Sequence, residues 1–566
     1  MVRCLMSTSA SLVAGISSDE RPRWLAFAAI VAAVVALRAY CAFTLSMNSD
    51  EPQHLHVVWA WTQGLVPYRD VFDNHAPLFQ LLCAPLLAWL GERADIVALM
   101  RLAMIPLYLG ALWLTWYIAK ALWSTRAGVV AVVLAAFSPI FFIVSVQFRP
   151  DNLWTVLWLA AVAAGVSPKF ERHRAIVVGL LIGTAFAVSL KSVLLVISGA
   201  VAFVTLAVVQ GKLRGFLSKR FASEIARGAL AASVVPALFA LYFASVGAWQ
   251  QAVYCVFTHN IVPDLGHRSI ADPRILLLLL GYPAVVGFLW WTLRRAPDGR
   301  LWIPRAWLLL SPMLYLMILY GGWPLVTHQD LLPAIPLLAI SVASAIVPVG
   351  PDRTTRPRIA LALAFAGINV VNMATAAVPT HDMLTPEQNE LARVLALTRA
   401  GDPVMDAKGE AIFRRRPVYW AMEDITETRM RDGLIEDDIA ERLAATSTPI
   451  VIVERLTARD GAFVRDNYVP VEPADGLIRV AGQALGRVSA RRAVSFDVRV
   501  PLEYAMVTPN GPASGELDGT ELNGGRMLAA GRHTFFPNAD GELALVWAPA
   551  MERGLDAREL FSNSNR

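Results

Sequence analysis

The chain has 566 residues, of which 56% are hydrophobic and only 17% charged, with a formal net charge of +5. That charged share is low for a soluble protein, and so small a positive balance gives no argument for a nucleic-acid partner. The apolar residues are concentrated before residue 379, in runs of about 20, the length that crosses a bilayer core.

Residues 1–22 are Ser/Ala-rich and read as a disordered cytoplasmic lead-in. Residues 23–378 read as a polytopic helical bundle of about 11 transmembrane helices, oriented by the Lys/Arg bias of the short loops. The first span is Trp24–Leu45, preceded by Arg21 and Arg23 on the inside. An outer loop over 48–92 follows, with interfacial helices at Glu51–Gln63 and Pro77–Leu90. Later spans include Ala127–Val146, Ile176–Leu190, Ser192–Val209, Ala226–Val246 and Ile275–Leu293. Leu331–Val347 and Ile359–Val378 complete the bundle, and the basic loops Lys169–Arg174 and Arg353–Arg358 mark its inner side. Residues 379–471 are expected to form an extracytoplasmic α/β subdomain around the strand Pro449–Glu454. Residues 472–566 alternate in short strands between Gly- and Asn-rich turns, and read as a β-rich extracytoplasmic subdomain. Cys4, Cys41, Cys83 and Cys255 have no metal-like spacing and read as small buried hydrophobes.

The stretch that organises the chain lies between the first two long apolar runs. It begins Ser49-Asp50-Glu51-Pro52-Gln53-His54, continues through Gln63-Gly64 and Pro67-Tyr68-Arg69-Asp70, and ends Asp73-Asn74-His75-Ala76-Pro77. Acids beside membrane-spanning sequence are costly unless they face a cleft or water, so a functional site is expected there. Asp50, Glu51, Asp151 and Lys191 fall at the outer ends of spans, with Arg101 and Arg149 beside them. A bundle can gather residues at one membrane depth around one cavity. Cations would then bind a phosphate at the bilayer surface, and a carboxylate would take the proton of an incoming hydroxyl. A sugar linked to a lipid phosphate carries its own leaving group, so its transfer needs no nucleotide-binding motif, and none is visible. Arg101 or Arg149 would grip two phosphate oxygens, and Lys191 would act as a point charge. His54, Tyr68, His75, His259, His328 and Asp330 are candidates to line the cavity or the acceptor pocket, His328 and Asp330 equally as helix caps. No zinc-type spacing is present, and a metal between Asp50 or Glu51 and a histidine stays open.

These elements together resemble the GT-C superfamily of integral membrane glycosyltransferases, in its protein O-mannosyltransferase and lipid A aminoarabinose transferase branch. Asp50-Glu51, the Gln63-Gly64 to His75-Ala76-Pro77 continuation, Arg101, Arg149-Pro150-Asp151 and Lys191 after Gly179 and Gly183 carry the resemblance, which covers residues 24–378. It implies an inverting transfer from a polyprenyl-phosphate-linked sugar to a lipid A, glycolipid or other envelope acceptor. By the same resemblance Asp50 is the general base or its electrostatic partner, Glu51 orients the loop or meets the acceptor, and Asp151 is the second acid. Lys191 and an arginine would hold the lipid phosphate. The resemblance implies no particular cofactor and leaves a divalent metal, Mg or Mn, open, since some branches place one in the cavity and others do not. The expected location is the bacterial inner membrane, among membrane lipids, with the site and the C-terminal domain facing the periplasm. Gln53-His54 stand where those branches often carry an Arg-Tyr pair. A transporter or flippase of lipid-linked substrates and a non-enzymatic scaffold for envelope-polymer assembly are the other classes. A transporter would place its polar residues at the membrane midplane; a scaffold would tolerate neutralisation of Asp50.

Overall fold

The computed structural model describes residues 21–210, 218–262, 301–323, 325–347, 378–471 and 477–561, with isolated positions between 364 and 375. Its first part is helical. Helices α1 (Arg21–Thr44), α2 (Asp50–Thr62), α3 (Leu78–Leu90), α4 (Ile96–Leu102) and α5 (Met104–Leu122) come first. Next are α6 (Thr125–Ala136), α7 (Pro139–Val144), α8 (Pro150–Val166), α9 (Arg174–Phe186) and α10 (Ser192–Val209). Helices α11 (Lys219–Ser245), α12 (Trp302–Gly322) and α13 (Ile335–Ile346) follow, with short helical turns over Trp249–Val253 and Tyr254–Thr258 after α11.

Among the described residues, 4 helical stretches are long and apolar enough to cross a membrane: Ile96–Leu122, Ser192–Val209, Lys219–Ser245 and Trp302–Gly322. The chain is thus a multi-pass membrane protein, but the expected bundle of about 11 spans is corrected. Several of the apolar runs do not form single long helices. Ala127–Val146 breaks at Phe137-Ser138, because Pro139 cannot extend α6 and instead opens α7. Helices α9 and α13 reach only 13 and 12 residues. Expected span Ile275–Leu293 and most of Ile359–Val378 lie outside the described residues, as does nearly all of the lead-in 1–22.

Packing within the bundle follows small residues and one buried cation. Helix α11 turns Leu230, Leu238 and Leu241 outward, each at least 60% exposed. Such a surface suits acyl chains. Its other side meets α9 closely: a Cβ on Gly183 would stand 2.0 Å from the Ala232 carbonyl oxygen, the close backbone approach that small residues permit between membrane helices. Arg38 of α1 is fully buried. It donates to the Phe142 and Ser145 carbonyls at 3.0 and 2.6 Å and lies over the Tyr108 ring. These bonds satisfy the C-terminal carbonyls of α7 and fix the chain that leads into Arg149.

The C-terminal part begins with α14 (Leu384–Leu397). Strand β1 (Val404–Met405) pairs in parallel with β2 (Ile450–Ile452). Both β2 and β3 (Tyr468–Pro470) pair antiparallel with β4 (Ile478–Val488). From β4 the sheet continues through strand Gly541–Trp547 to Leu502–Thr508. One 8-stranded sheet and one hydrophobic core, from Val394 to Leu560, therefore run through both stretches 379–471 and 472–566. A separate 4-stranded sheet completes the region. This domain packs on the outer loop of the bundle: the Tyr419 hydroxyl donates to the Tyr68 carbonyl, and Arg414 pairs with Glu92 at 2.7 Å.

Candidate active site

A cavity of about 630 Å³ opens where the helical part meets the C-terminal domain. Its wall is built from helix ends. Asp50 is the first residue of α2, Asp151 lies in the first turn of α8, and Lys191 is the N-cap of α10. The positive ends of these helices favour an anion at their mouths. Asp50, Asp151, Arg149, Lys191, His75 and His328 all line this cavity. Residues scattered over some 280 positions of sequence are thus brought together.

The charges inside are paired in a chain. Arg149 reaches Asp50 at 2.8 Å and Asp151 at 3.3 Å, so one guanidinium bridges both carboxylates. It also donates to the Asn48 side chain at 2.7 Å. Asp50 has a second cation, the ammonium of Lys408. Burial pushes the Asp50 carboxyl up, but Arg149 and Lys408 outweigh it and hold the group well below the usual carboxylate range. Lys191 pairs with Asp330.

His75 enters from the loop after α2. Its Nδ1 lies 2.9 Å from Asp73, which is buried beneath it. Burial works to lower the His75 pKa, and Asp73 outweighs it, so the pKa is raised and the imidazolium favoured.

Six expected residues stand behind the wall. Glu51 and Arg101 are fully buried and pair with two hydrogen bonds, at 2.8 and 2.6 Å. Glu51 also accepts from the Phe148 and Asn48 N–H groups, at 2.7 and 2.8 Å, and Arg101 donates to the Leu45 and Ser46 carbonyls. The expectation that Glu51 meets the acceptor and that Arg101 holds phosphate is corrected: neither has a hydrogen-bonding group left for a ligand, and together they clamp the ends of α1 and α2. His54 is buried against His75, with ring centroids 4.5 Å apart. Burial first, then the charges of His75 and Arg149, hold its pKa well below the usual value. The Tyr68 hydroxyl donates to the His75 carbonyl at 2.6 Å, so Tyr68 shapes the loop from beneath. His259 lies 3.1 Å from Glu423. Asp330 forms the capping box with Thr327 as well as holding Lys191.

Sequence reasoning missed the contribution of the C-terminal domain. Lys408, Glu423, Asp424 and Arg455 all line the cavity. Glu423 accepts from the Asn74 side chain at 2.7 Å as well as facing His259. The signal available was the run Asp406-Ala407-Lys408-Gly409-Glu410 directly after a buried strand, where loops commonly carry function. As to a divalent metal, no group of three His, Cys, Asp or Glu side chains suits an ion among the described residues. Of the carboxylates lining the cavity, Asp50 and Asp151 are bridged by the Arg149 guanidinium and Glu423 faces Asn74 and His259, so this donor set does not fit a cation.

Comparison with known proteins agrees with this architecture. Residues 74–247 match the family model for dolichyl-phosphate-mannose-protein mannosyltransferase. No curated protein sequence matches the chain at a significant level. Among solved structures, ArnT from Cupriavidus metallidurans bound to undecaprenyl phosphate superposes with a TM-score of 0.56 at 13% identity, over 80% of this chain and 97% of that one. The apo state of the same protein gives 0.55 at 13% identity, over 81% and 98%. Over four fifths of its length this chain has a fold similar to that of ArnT from Cupriavidus metallidurans.

Proposed function

We propose that the protein transfers a sugar from a polyprenyl-phosphate donor to an acceptor of the cell envelope, with inversion, at the extracytoplasmic face of the membrane. The observation that carries this reading is the single cavity in which Asp50 and Asp151 share Arg149 while Lys191 and Lys408 stand in the same wall. Cations at helix N-termini receive the donor phosphate, which lies at bilayer depth because its lipid does. His75, held by Asp73, adds to that set an imidazole whose protonated form Asp73 favours. The acceptor hydroxyl approaches the anomeric carbon from the side opposite the phosphate and gives its proton to Asp50. Asp151 keeps Arg149 in register and balances the oxocarbenium-like charge that develops at the sugar.

The chemistry favours this class over a transporter. The ionisable residues gather at helix ends beside a large extramembrane domain, whereas a transporter site lies near the midplane of paired broken helices. The undecaprenyl phosphate bound by ArnT makes such a lipid the natural first donor carrier to try. The experiment incubates the purified protein with radiolabelled polyprenyl-phosphate sugars and an envelope lipid extract. Labelled product from the wild type and none from a folded Asp50→Asn variant supports the reading. Unchanged transfer by Asp50→Asn removes the carboxylate base, and no transfer with any donor favours the scaffold.

A further inference from the structure

Lys408 is the one lysine that the C-terminal domain places in the cavity among the described residues. The loop that carries it is built with unusual completeness. Asp406 accepts from the Gly409 and Ala411 N–H groups, both at 2.8 Å, and from Arg416 at 2.7 Å. Gly409 has φ +100°, and a Cβ there would stand 2.7 Å from the His56 side chain, so only glycine lets the loop lie this close on α2. His56 in turn hydrogen-bonds the Ile412 carbonyl at 2.9 Å. The backbone is therefore clamped, and what it presents is a lysine whose side chain is only 5% exposed.

That lysine is spent on a carboxylate that already has a cation. Arg149 is locked between Asp50, Asp151 and Asn48. Among the described residues the Lys408 ammonium has Asp50 as its acid partner and reaches otherwise only the Ser49 hydroxyl, at 3.5 Å. An ammonium on a flexible stem can turn where a bridging guanidinium cannot. A donor phosphate entering this wall meets two carboxylates, and a carboxylate with two cations on it is a poor proton acceptor. Both difficulties end if one cation moves from carboxylate to phosphate.

We propose that Lys408 changes partner during the reaction: it holds Asp50 before the donor arrives, then turns to the donor phosphate and frees Asp50 to accept the acceptor's proton. The inference rests on the sugar-transfer reading above. In the step itself the acceptor O–H gives its proton to Asp50 and its oxygen forms the new bond to the anomeric carbon. The bond from that carbon to the phosphate oxygen breaks, and its electron pair leaves on the lipid phosphate, whose added negative charge Lys408 and Lys191 face. The C-terminal domain thereby supplies a group to the reaction, and donor binding is coupled to release of the base.

A double-mutant cycle on the full chain tests this, with undecaprenyl phosphate as the probe and its dissociation constant as the readout. Asp50→Asn releases Lys408 and is expected to tighten binding by about tenfold, a usual size for such coupling. Lys408→Met weakens binding, and adding Asp50→Asn to it restores little, because the cation that would be released is gone. Lys408→Gln is a second neutral variant should Lys408→Met fail to fold. An equal gain from Asp50→Asn with and without Lys408 overturns the proposal, since the gain is then only the lost repulsion. Failure of both neutral variants to fold also overturns it, leaving Lys408 a tether. No binding of the lipid phosphate to folded wild type overturns the sugar-transfer reading as well, whereas binding with an additive cycle removes the role of Lys408 alone.

Discussion

Asp50 and Glu51 are neighbours in sequence with opposite surroundings. Glu51 is sealed: Arg101 and two backbone N–H groups occupy its oxygens, and both side chains of the pair are 0% exposed. Asp50 opens onto the cavity with a side chain 24% exposed, and its cations come from two different parts of the fold. One step along a helix rotates a side chain by about 100°, enough to separate a clamp from a reacting group. A carboxylate with every lone pair taken holds the structure together. A carboxylate with exchangeable cations at a cavity wall can do chemistry.

Substitutions at the two acids should therefore break different properties. The largest effect is expected on turnover: Asp50→Asn should lower transfer by about 10²–10⁴-fold, the usual span of a proton-transfer group, with a smaller drop in melting temperature than the Glu51 and Arg101 variants, because Arg149 keeps Asp151 and the Asp50 side chain opens on the cavity. Glu51→Gln and Arg101→Met should reverse this order. Each leaves a buried charge uncompensated, which costs about 3–5 kcal/mol, so thermal unfolding in detergent should show a lower melting temperature before activity becomes interpretable. A Glu51→Gln protein of unchanged stability would contradict the clamp.

The sequence made half of this comparison legible. Asp50, Asp151, Arg149 and Lys191 could be placed together because each ends an apolar run on the same side of the membrane. Glu51 could not be told from Asp50, because its direction depends on the phase of α2 and on an Arg101 fixed by backbone carbonyls of the preceding turn. Lys408 was out of reach for another reason: it meets Asp50 across 358 positions, and no spacing rule spans such a distance. The helix count failed where hydropathy treats an apolar run as one rod. Pro139 and the short helices α9 and α13 show that apolar sequence also fills a bundle's interior.

Smaller effects sharpen the same contrast away from the two acids. Gly183→Leu drives a side chain into the Ala232 carbonyl. It should cost about 1–3 kcal/mol of stability, as overpacking does, seen as a lower melting temperature, while the Asp50 cavity keeps its affinity for lipid phosphate in the folded fraction. The mildest change concerns pH. Asp73 raises the His75 pKa against the lowering effect of burial. An imidazolium that helps hold phosphate is present below that pKa and lost as pH rises through it. Asp73→Asn should therefore move the alkaline limb of kcat/KM to lower pH. An unmoved limb in a folded variant would take His75 out of the phosphate-binding set.

The most direct measurement is a structure of the full chain with undecaprenyl phosphate bound. The account expects the phosphate inside the Asp50 cavity, in contact with Lys191 or Lys408 and near Arg149, with Glu51 and Arg101 still paired to each other. A phosphate seated elsewhere, or one that draws Arg101 away from Glu51, would contradict it.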